Sequence, residues 1–446
     1  MTASLLQVLL SLAAGIVIII LLTTKFNVNA FFVLLIACFI VGLGVQMQFV
    51  NIINSMKEGF GNIMKSLGLI IVLGTTLGVL LEYTGSTRVM ASFILKKTGE
   101  KHASLAMSIT GFIVGLPIFC DSGYIVLSGL NKSLSKRTGI SIVVMSVSLA
   151  TGLYSVHCLI PPHPGAAAAA GTMGVDFGKL ILIGIVVAIP AMLVGHWWAR
   201  YAGRKIQVPL INEEEEEKEK ESLFQMPSVI NAFLPVLAPI FLIALHSFLV
   251  IDKSAETGWL RMFSFLGEPV IALSIGVLLA FNAKRNWKKN VVSKLLQDSA
   301  EKAGSILVII GAGGAFGAVL AATQLGQYFG KSLSLSDMGI LFPFLLAFIL
   351  KTAQGSSTVA IITSASIVLP LLATLGLDSD YGKILCVLSM GAGSMMISHA
   401  NDAYFWVIAK FSGLEMKPML KVYSVASVLM GLVTLLTVYF LSLILL

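Results

Sequence analysis

The chain has 446 residues, of which 57% are hydrophobic and only 12% are charged, with a mean hydropathy of +0.93. A soluble protein of this length needs a charged surface, which this composition does not supply. Apolar runs of about twenty residues recur, each long enough to cross a bilayer core as a helix, and they lack the alternation of a membrane β-barrel. The composition therefore predicts an all-α polytopic membrane protein.

The net charge of +8 comes from 30 Lys and Arg against 22 Asp and Glu. Cytoplasmic loops of membrane proteins collect Lys and Arg, so this excess does not by itself indicate an anionic partner. No basic patch interleaved with aromatic residues points to nucleic acid. The four cysteines lie in apolar surroundings without metal-ligand spacing, so we predict no disulfides, metal or other cofactor.

Ten apolar runs predict simple spans. The first lacks a basic leading region and a small-residue cleavage site, so we interpret it as a span and not as a signal peptide. The spans are 4–24, 28–48, 62–83, 139–160, 178–199, 229–250, 266–282, 304–324, 382–408 and 422–446.

Two further apolar stretches, 104–130 and 339–375, are interrupted near their middles, the first by Pro117 and Asp121 and the second by KTAQGSS (351–357). Each is either two crossings or a re-entrant hairpin, because irregular backbone at membrane depth needs cover from protein or a wet cavity. Basic flanks place both ends of the first stretch in the cytoplasm, and the flanks of the second hold one Lys and fall outside. We therefore expect ten spans plus two hairpins, with both chain ends outside; twelve or more simple spans is the alternative.

One low-complexity charge run, INEEEEEKEKES (211–222), separates two similar halves. It is typical of a solvated linker, so we predict a first repeat at 1–200, a cytoplasmic charged linker at 201–227 and a second repeat at 228–446.

The similarity of the halves is clearest where SLGLIIVLGTTLGVLL (66–81) aligns with SILVIIGAGGAFGAVL (305–320). Six of sixteen positions are identical at an offset of 239. Both segments contain Gly-x-x-x-Gly, at Gly74 and Gly78 in the first, a spacing that lets helices approach closely in lipid. Each half has five spans and one hairpin, and an odd number of spans inverts the second half. We therefore expect two inverted repeats with broken helices at mid-membrane, as in secondary transporters.

The tip of the first hairpin holds Asp121, Ser122 and Gly123. A charged carboxylate at the bilayer centre costs about 2.5–3.5 kcal/mol to insert. Asp121 is therefore a candidate to take up and release a proton during transport. The alternative is a carboxylate that only locks the hairpin through hydrogen bonds.

The tip of the second hairpin is rich in small polar groups. Glycines bring backbone amides close to a ligand, hydroxyls donate to carboxylate oxygens, and half-helix N-termini favour an anion. Ordinary helix packing by Ser and Thr is the alternative, and Lys351 either binds the anion or extends to an interface. The candidate substrate-binding residues here are Gln354, Gly355, Ser356, Ser357 and Thr358.

Two further breaks carry histidines. In SVHCLIPPHPG (155–165) three prolines must break the helix between His157 and His163. Histidine titrates near neutral pH, which suits a proton relay. The segment SHANDAYFW (398–406) adds three more polar groups at membrane depth. They are His399, Asn401 and Asp402.

We assign roles to these candidates from their chemistry. Glu82, at the end of the span 62–83, is either an interfacial carboxylate or a second acid near the site. No metal-ligand spacing such as H-E-x-x-H is present. The proton-coupling candidates are Asp121, His157, His399, Asp402 and Glu82. The substrate-binding candidates are Ser122, Gly123, His163, Asn401 and the residues of the second tip.

Five segments of the sequence resemble the gluconate permease (GntP) family of proton-coupled sugar-acid symporters, within the ion-transporter superfamily. They are LLEYTG (80–85), FCDSGYIVL (119–127), HCLIPPHPG (157–165), TAQGSSTVA (352–360) and SHANDAYFW (398–406).

The resemblance covers essentially the whole chain. Several relatives have Glu-Val-Gly where this chain has Asp121-Ser122-Gly123, so the carboxylate is kept but is one methylene shorter. Members of the family carry gluconate and other sugar acids, and some carry D-serine or glycerate. The resemblance further implies a homodimer in which a mobile domain holding both hairpins works by an elevator motion.

The sequence thus predicts a secondary active transporter in a bacterial inner membrane, for proton-coupled uptake of gluconate or a similar small hydroxylated monocarboxylate. A transporter of the D-serine or glycerate type, or one coupled to Na⁺, remains open, as does an anion channel. A membrane enzyme would need a nucleophile, a base and an orienting group in one place, and the sequence displays no such arrangement.

Overall fold

A computed structural model describes residues 5–26, 28–206, 226–249, 262, 265–284, 287–323, 338–399 and 402–446. The described residues form helices, turns and loops without a β-strand, as the composition predicts. Most of the predicted charged linker, 207–225, lies outside the described residues, as does Asn401.

The first half of the chain contains nine described α-helices and one 3-10 turn, Glu100–His102. The α-helices are α1 (Leu5–Thr24), α2 (Ala30–Gly44), α3 (Phe49–Tyr83), α4 (Ser86–Thr98), α5 (Ala103–Gly115), α6 (Cys120–Thr138), α7 (Ile142–Leu159), α8 (Pro164–Met173) and α9 (Phe177–Gly203).

Eight longer helices are described in the second half, and a short helical segment at 416–424 leads into the last of them. They are α10 (Val229–Leu249), α11 (Pro269–Phe281), α12 (Lys289–Ala322), α13 (Leu341–Gln354), α14 (Ser357–Val368), α15 (Asp380–Met395), α16 (Ala403–Ser412) and α17 (Val425–Leu445).

Corresponding helices occur in the same order in the two halves of the chain. The pair α5 and α6 is matched by α13 and α14, and the pair α7 and α8 by α15 and α16. The first residues of matched helices are separated by about 240 positions, close to the offset of the sequence alignment. This correspondence supports the repeat architecture proposed below.

Six described helical segments are long and apolar enough to cross a membrane. They are Phe49–Tyr83, Ile142–Met173, Phe177–Gly203, Val229–His246, Lys289–Ala322 and Met416–Leu445. Shorter apolar helices of 10–17 residues accompany them, among them α2, α11, α13 and the segment beginning with α14.

Two helices begin well before the spans that the sequence predicts. The predicted span 62–83 belongs to a helix of 35 residues that begins at Phe49, and 304–324 belongs to one of 34 residues that begins at Lys289. The lysines of 289–302 are spaced along the part of this second helix that precedes its apolar segment. The predicted span 382–408 consists of two helices that are separated at SHANDAYFW (398–406), where the sequence predicts a break, and Asp402 caps the second of them.

The Gly-x-x-x-Gly segments lie against helix breaks. A Cβ added at Gly74 would lie 3.1 Å from Pro162, and one added at Gly78 would lie 3.0 Å from the carbonyl oxygen of Pro117. In the second half the matching glycines lie against α14, where Ser366 Oγ donates to the carbonyl oxygen of Gly313 at 2.7 Å. The glycines of α3 and α12 thus hold both helix pairs in position.

We expect Gly152→Ala to lower the thermal stability of the protein in detergent. A Cβ at this position would overlap the backbone carbonyl of Ser108, so α5 and α7 must separate, at a cost of about 1–3 kcal/mol. Gly68→Ala is the matched control, because a Cβ there has nothing within 4 Å and helix propensity favours Ala. Equal melting temperatures for the two variants would show that an added Cβ at position 152 does not disturb the packing of α5 against α7.

Candidate functional site

A cavity of about 560 Å³ lies where four helix breaks converge. The breaks separate α5 from α6, α7 from α8, α13 from α14, and α15 from α16, and α12 forms a further wall. The volume lies in the range of small-molecule binding sites. The predicted site residues on its wall are Asp121, Ser122, His157, Gln354, Gly355, Ser356, Ser357, Thr358 and Asp402.

Each of the four breaks presents a helix N-terminus to this cavity. The helices begin at Cys120, Pro164, Ser357 and Ala403, and all four of these residues line the cavity. The first backbone N–H groups of a helix lack intrahelical partners, and the helix dipole adds partial positive charge there. Within the described part of the chain, α6 and α8 have no side-chain cap. The cavity therefore favours a negatively charged ligand.

Asp121 projects from the first turn of α6 into this cavity. Its one hydrogen-bond partner among the described residues is the thiol of Cys120, at 4.0 Å. Ser122 also lines the cavity, but Gly123 is buried against α7, where an added Cβ would lie 2.7 Å from Leu153. The acid is thus available to a ligand, and Gly123 serves the packing of its helix.

Two other lining residues carry polar atoms without a protein partner. Both amide atoms of Gln354 are buried without a hydrogen bond, and so is Nδ1 of His157, as far as the structure describes the chain. Buried polar atoms in native proteins are nearly always paired. A ligand with hydroxyl or carboxylate groups would satisfy these atoms.

His163 lies behind the cavity wall. Its ring is 4.9 Å from that of His157, and its Nε2 donates to the carbonyl oxygen of Gly115 at 2.6 Å. Gly115 is the last residue of α5, and His163 is only 1% exposed. His163 therefore links the start of α8 to the break between α5 and α6, and it does not face a ligand.

The second half has a buried ion pair in the corresponding place. Lys351 Nζ donates to Asp402 Oδ2 at 2.7 Å and to the carbonyl oxygen of Gly355 at 2.6 Å. The hydroxyl of Ser398 donates to the same carboxylate, and the backbone N–H of Tyr404 donates to its Oδ1 at 3.0 Å. Lys351 is fully buried, so it does not extend to a membrane interface. Asp402 holds it at the break between α13 and α14.

The two halves share one contact, here called the clasp, in which the N-cap residue of one helix (His163 or Asp402) bonds to the end of an earlier helix. His163 is the N-cap of α8 and Asp402 is the N-cap of α16, and they are 239 positions apart. His163 bonds to Gly115 at the end of α5, and Asp402 bonds to Lys351 in the last turn of α13. The clasp is a hydrogen bond in one half and an ion pair in the other.

The remaining candidates lie off the main cavity. Glu82 borders a crevice of about 10 Å³ together with Ser122 and Lys302. The backbone carbonyl of His399 accepts a hydrogen bond from the N–H of Asp402 at 2.8 Å, and His399 is not part of the cavity wall.

Sequence reasoning missed Lys302, Ser305, Tyr154 and Tyr404, which line the cavity. Lys302 lies just outside the predicted span 304–324, although a helical continuation of that span towards Lys289 would have placed it on the cavity wall. The rings of Tyr154 and Tyr404 stack at 5.7 Å. Their hydroxyls donate to backbone carbonyls of α15 and α7, so they form a rigid floor.

A helical membrane fold with a polar, anion-favouring cavity between broken helices is typical of a small-molecule transporter. The fold is similar to the crystal structure of the Alcanivorax borkumensis YdaH transporter, with a TM-score of 0.61. That similarity covers 86% of this chain and 87% of the other, at 15% sequence identity.

The sequence profile of the GntP family permeases matches residues 7–444. The chain is 33% identical to a gluconate permease of Pseudomonas aeruginosa, over 98% of both chains. It is 30% identical to a D-serine transporter of Escherichia coli O6:H1, over 97% of both chains. The chain belongs to the GntP permease family, as its motifs predict, and is a multi-pass inner-membrane transporter of small acid substrates and not an enzyme.

Proposed function

We propose that this transporter takes up gluconate, or a similar small hydroxylated monocarboxylate, together with a proton. The observation that carries the proposal is the convergence of four helix N-termini on a cavity lined by the carboxylate of Asp121, which forms no ion pair with any of the described residues. A similar gluconate permease in Pseudomonas aeruginosa supports the choice of substrate.

The carboxylate of the substrate binds at the N-termini of α6 and α14. The hydroxyl groups of the substrate bind at the break between α13 and α14. Ser356 Oγ accepts from the N–H of Val359 at 3.3 Å, which leaves its proton free to donate to the substrate. Gly355 has a φ of +80°, a backbone conformation that glycine adopts without strain. Gln354 offers both a donor and an acceptor to hydroxyl groups of the substrate.

Coupling follows from competition between two negative charges for one site. The same partial positive charges stabilise the carboxylate of Asp121 and that of the substrate. Two carboxylates in one cavity repel each other, so substrate binding favours the protonated form of Asp121. His157, which also lines the cavity, assists the transfer, whereas both carboxylate oxygens of Asp402 already accept hydrogen bonds, from Lys351, Ser398 and a backbone N–H.

The transport movement uses the two inverted repeats, each with about five spans and one re-entrant helix pair. Both helix pairs (α5–α6 and α13–α14) and both broken helices (α7–α8 and α15–α16) line the cavity and form the first group, and α12 lines it through Lys302, Ser305 and Ile306. In an elevator motion the first group slides past α12 with the substrate between them. We expect the protein to act as a homodimer, with the longest helices fixed in the membrane.

Replacing Gln354 by Leu is expected to raise the KM for gluconate by roughly tenfold, with a smaller change in the maximal rate. A Leu cannot pair with a substrate hydroxyl, and an unmade buried hydrogen bond costs about 1–3 kcal/mol. The measurement is uptake into proteoliposomes. Gln297→Leu, in the exposed part of α12, is the control and is expected to leave the KM unchanged. An unchanged KM in Gln354→Leu would exclude the amide from substrate binding.

Uptake by purified protein in proteoliposomes tests the proposed function. An inward proton gradient is expected to drive accumulation of gluconate, and a Na⁺ gradient at fixed pH is expected to have no effect. Accumulation driven by Na⁺ alone, or flux that never exceeds equilibrium, would contradict the proposal.

D-serine is the second candidate substrate, because Asp121 could pair with its ammonium group. Similarity to a D-serine transporter supports it. Competition between gluconate and D-serine in the same uptake assay distinguishes the two. Uptake of labelled D-serine that is reduced by unlabelled D-serine but not by gluconate would favour D-serine as the substrate.

A further inference from the structure

Lys302 of α12 is the only Lys or Arg among the described residues that line the main cavity. It also borders the crevice of about 10 Å³ that contains Glu82 of α3. Building on the proposed function, we infer that Lys302 is a substrate-binding residue that pairs with the carboxylate of the substrate. Glu82 is the acid that attracts the same ammonium group when the cavity is empty.

The position of Lys302 fits the proposed place of the substrate carboxylate. Phe119, the N-cap of α6, and Ser122 in its first turn line both the main cavity and the crevice, as Lys302 does. Lys302 therefore lies beside the N-terminus of α6, where the described residues provide no side-chain cap. A carboxylate accepts several hydrogen bonds, so one substrate group can pair with the helix N-terminus and with the ammonium group at once.

Glu82 and Lys302 attract each other across the crevice. The positive charge of Lys302 is close enough to act on the carboxylate of Glu82, but neither side chain forms a direct ion pair with a described residue. Glu82 is half-buried near the end of α3, whereas Lys302 is exposed, and an attraction of this kind is weak. Because a lysine carries its charge on a flexible stem, Lys302 can turn from Glu82 to a second carboxylate without movement of the backbone.

Membrane topology does not account for the place of Lys302. The chain before the apolar part of α12 holds four other described lysines, which supply basic charge at this end of the helix, and none of them lines the cavity. They are Lys284, Lys288, Lys289 and Lys294. The repeat requires neither Lys302 nor Glu82, because the positions aligned with them, Ile63 and Ala321, are apolar. Lys302 differs from the other lysines of this region by lying on the cavity wall, where a substrate can reach it.

Calorimetric titration of gluconate into the purified protein in detergent tests the inference. Lys302→Gln is expected to raise the Kd about tenfold, because a charge-assisted hydrogen bond to the substrate is lost. Lys302→Arg keeps the charge and is expected to keep the Kd close to that of the unmodified protein. Gluconamide carries no charge, so Lys302→Gln should leave its affinity unchanged. Lys294→Gln is the matched control, because it removes an exposed lysine of the same helix that is not part of the cavity wall.

Glu82→Gln is the second variant, and it decides the question if Lys302→Gln does not fold. It removes the acid that competes with the substrate for Lys302, so the Kd for gluconate is expected to fall severalfold. The inference is overturned if Lys302→Gln binds gluconate as tightly as the unmodified protein, if it loses the same affinity for gluconate and gluconamide, or if Glu82→Gln leaves the Kd for gluconate unchanged. Failure of the unmodified protein to bind gluconate would instead refute the proposed function.

Discussion

Asp121→Asn is expected to abolish the accumulation of gluconate against a gradient, while exchange of gluconate across the membrane continues. The amide keeps the size of the side chain and its place in the first turn of α6, but it carries no exchangeable charge. Without a carboxylate there is no competition with the substrate anion, so substrate movement is no longer tied to proton movement. The accumulation ratio should fall to about one at all pH values, whereas that of the unmodified protein increases with the inward proton gradient.

The measurement is paired counterflow and concentrative uptake in proteoliposomes, at acidic and neutral external pH. Asp378→Asn is the matched control, since Asp378 is exposed and is not part of the cavity wall. The role of Asp121 is refuted if its Asn variant accumulates gluconate as the unmodified protein does at both pH values.

The second large effect is expected at the ion pair of Lys351 and Asp402. Removing either charge alone leaves the other buried without compensation, which costs about 3–5 kcal/mol. Asp402→Asn is an informative variant because Asn still caps the N-terminus of α16, so the loss reports the charge. Lys351→Met keeps the length of the side chain and removes only its charge and hydrogen bonds.

A double-mutant cycle separates the pair from its surroundings. We expect both single variants to have much lower melting temperatures in detergent, and Lys351→Met/Asp402→Asn to recover most of the loss. Additive losses in the double variant would show that the two residues are not energetically coupled. Asp121→Asn serves as a control here, since loss of its charge is expected to leave the melting temperature nearly unchanged.

The sequence predicts the breaks well because their causes are local. Pro161, Pro162 and Pro164 prevent a continuous helix wherever they lie, and a glycine followed by Ser-Ser ends one helix and caps the next. A charged side chain within an apolar stretch also stands out in one dimension, which is why Asp121 could be identified as a candidate. These features depend on a few neighbouring residues.

The contacts between segments could not be predicted in the same way. Lys351 and Asp402 are 51 positions apart, and neither sequence segment shows that they form an ion pair. His157 and His163 flank the same prolines, yet only the three-dimensional packing puts His157 on the cavity wall and ties His163 to Gly115. Lys302 falls outside the predicted span 304–324, because the start of α12 is polar in composition and does not read as part of a membrane span.

A structure determined with gluconate bound tests the central claim most directly. We predict ligand density in the cavity, with its carboxylate at the N-termini of α6 and α14, and its hydroxyls within hydrogen-bonding distance of Gln354 and Ser356. Density for gluconate elsewhere, or a cavity without ligand at a gluconate concentration that saturates uptake, would contradict the account.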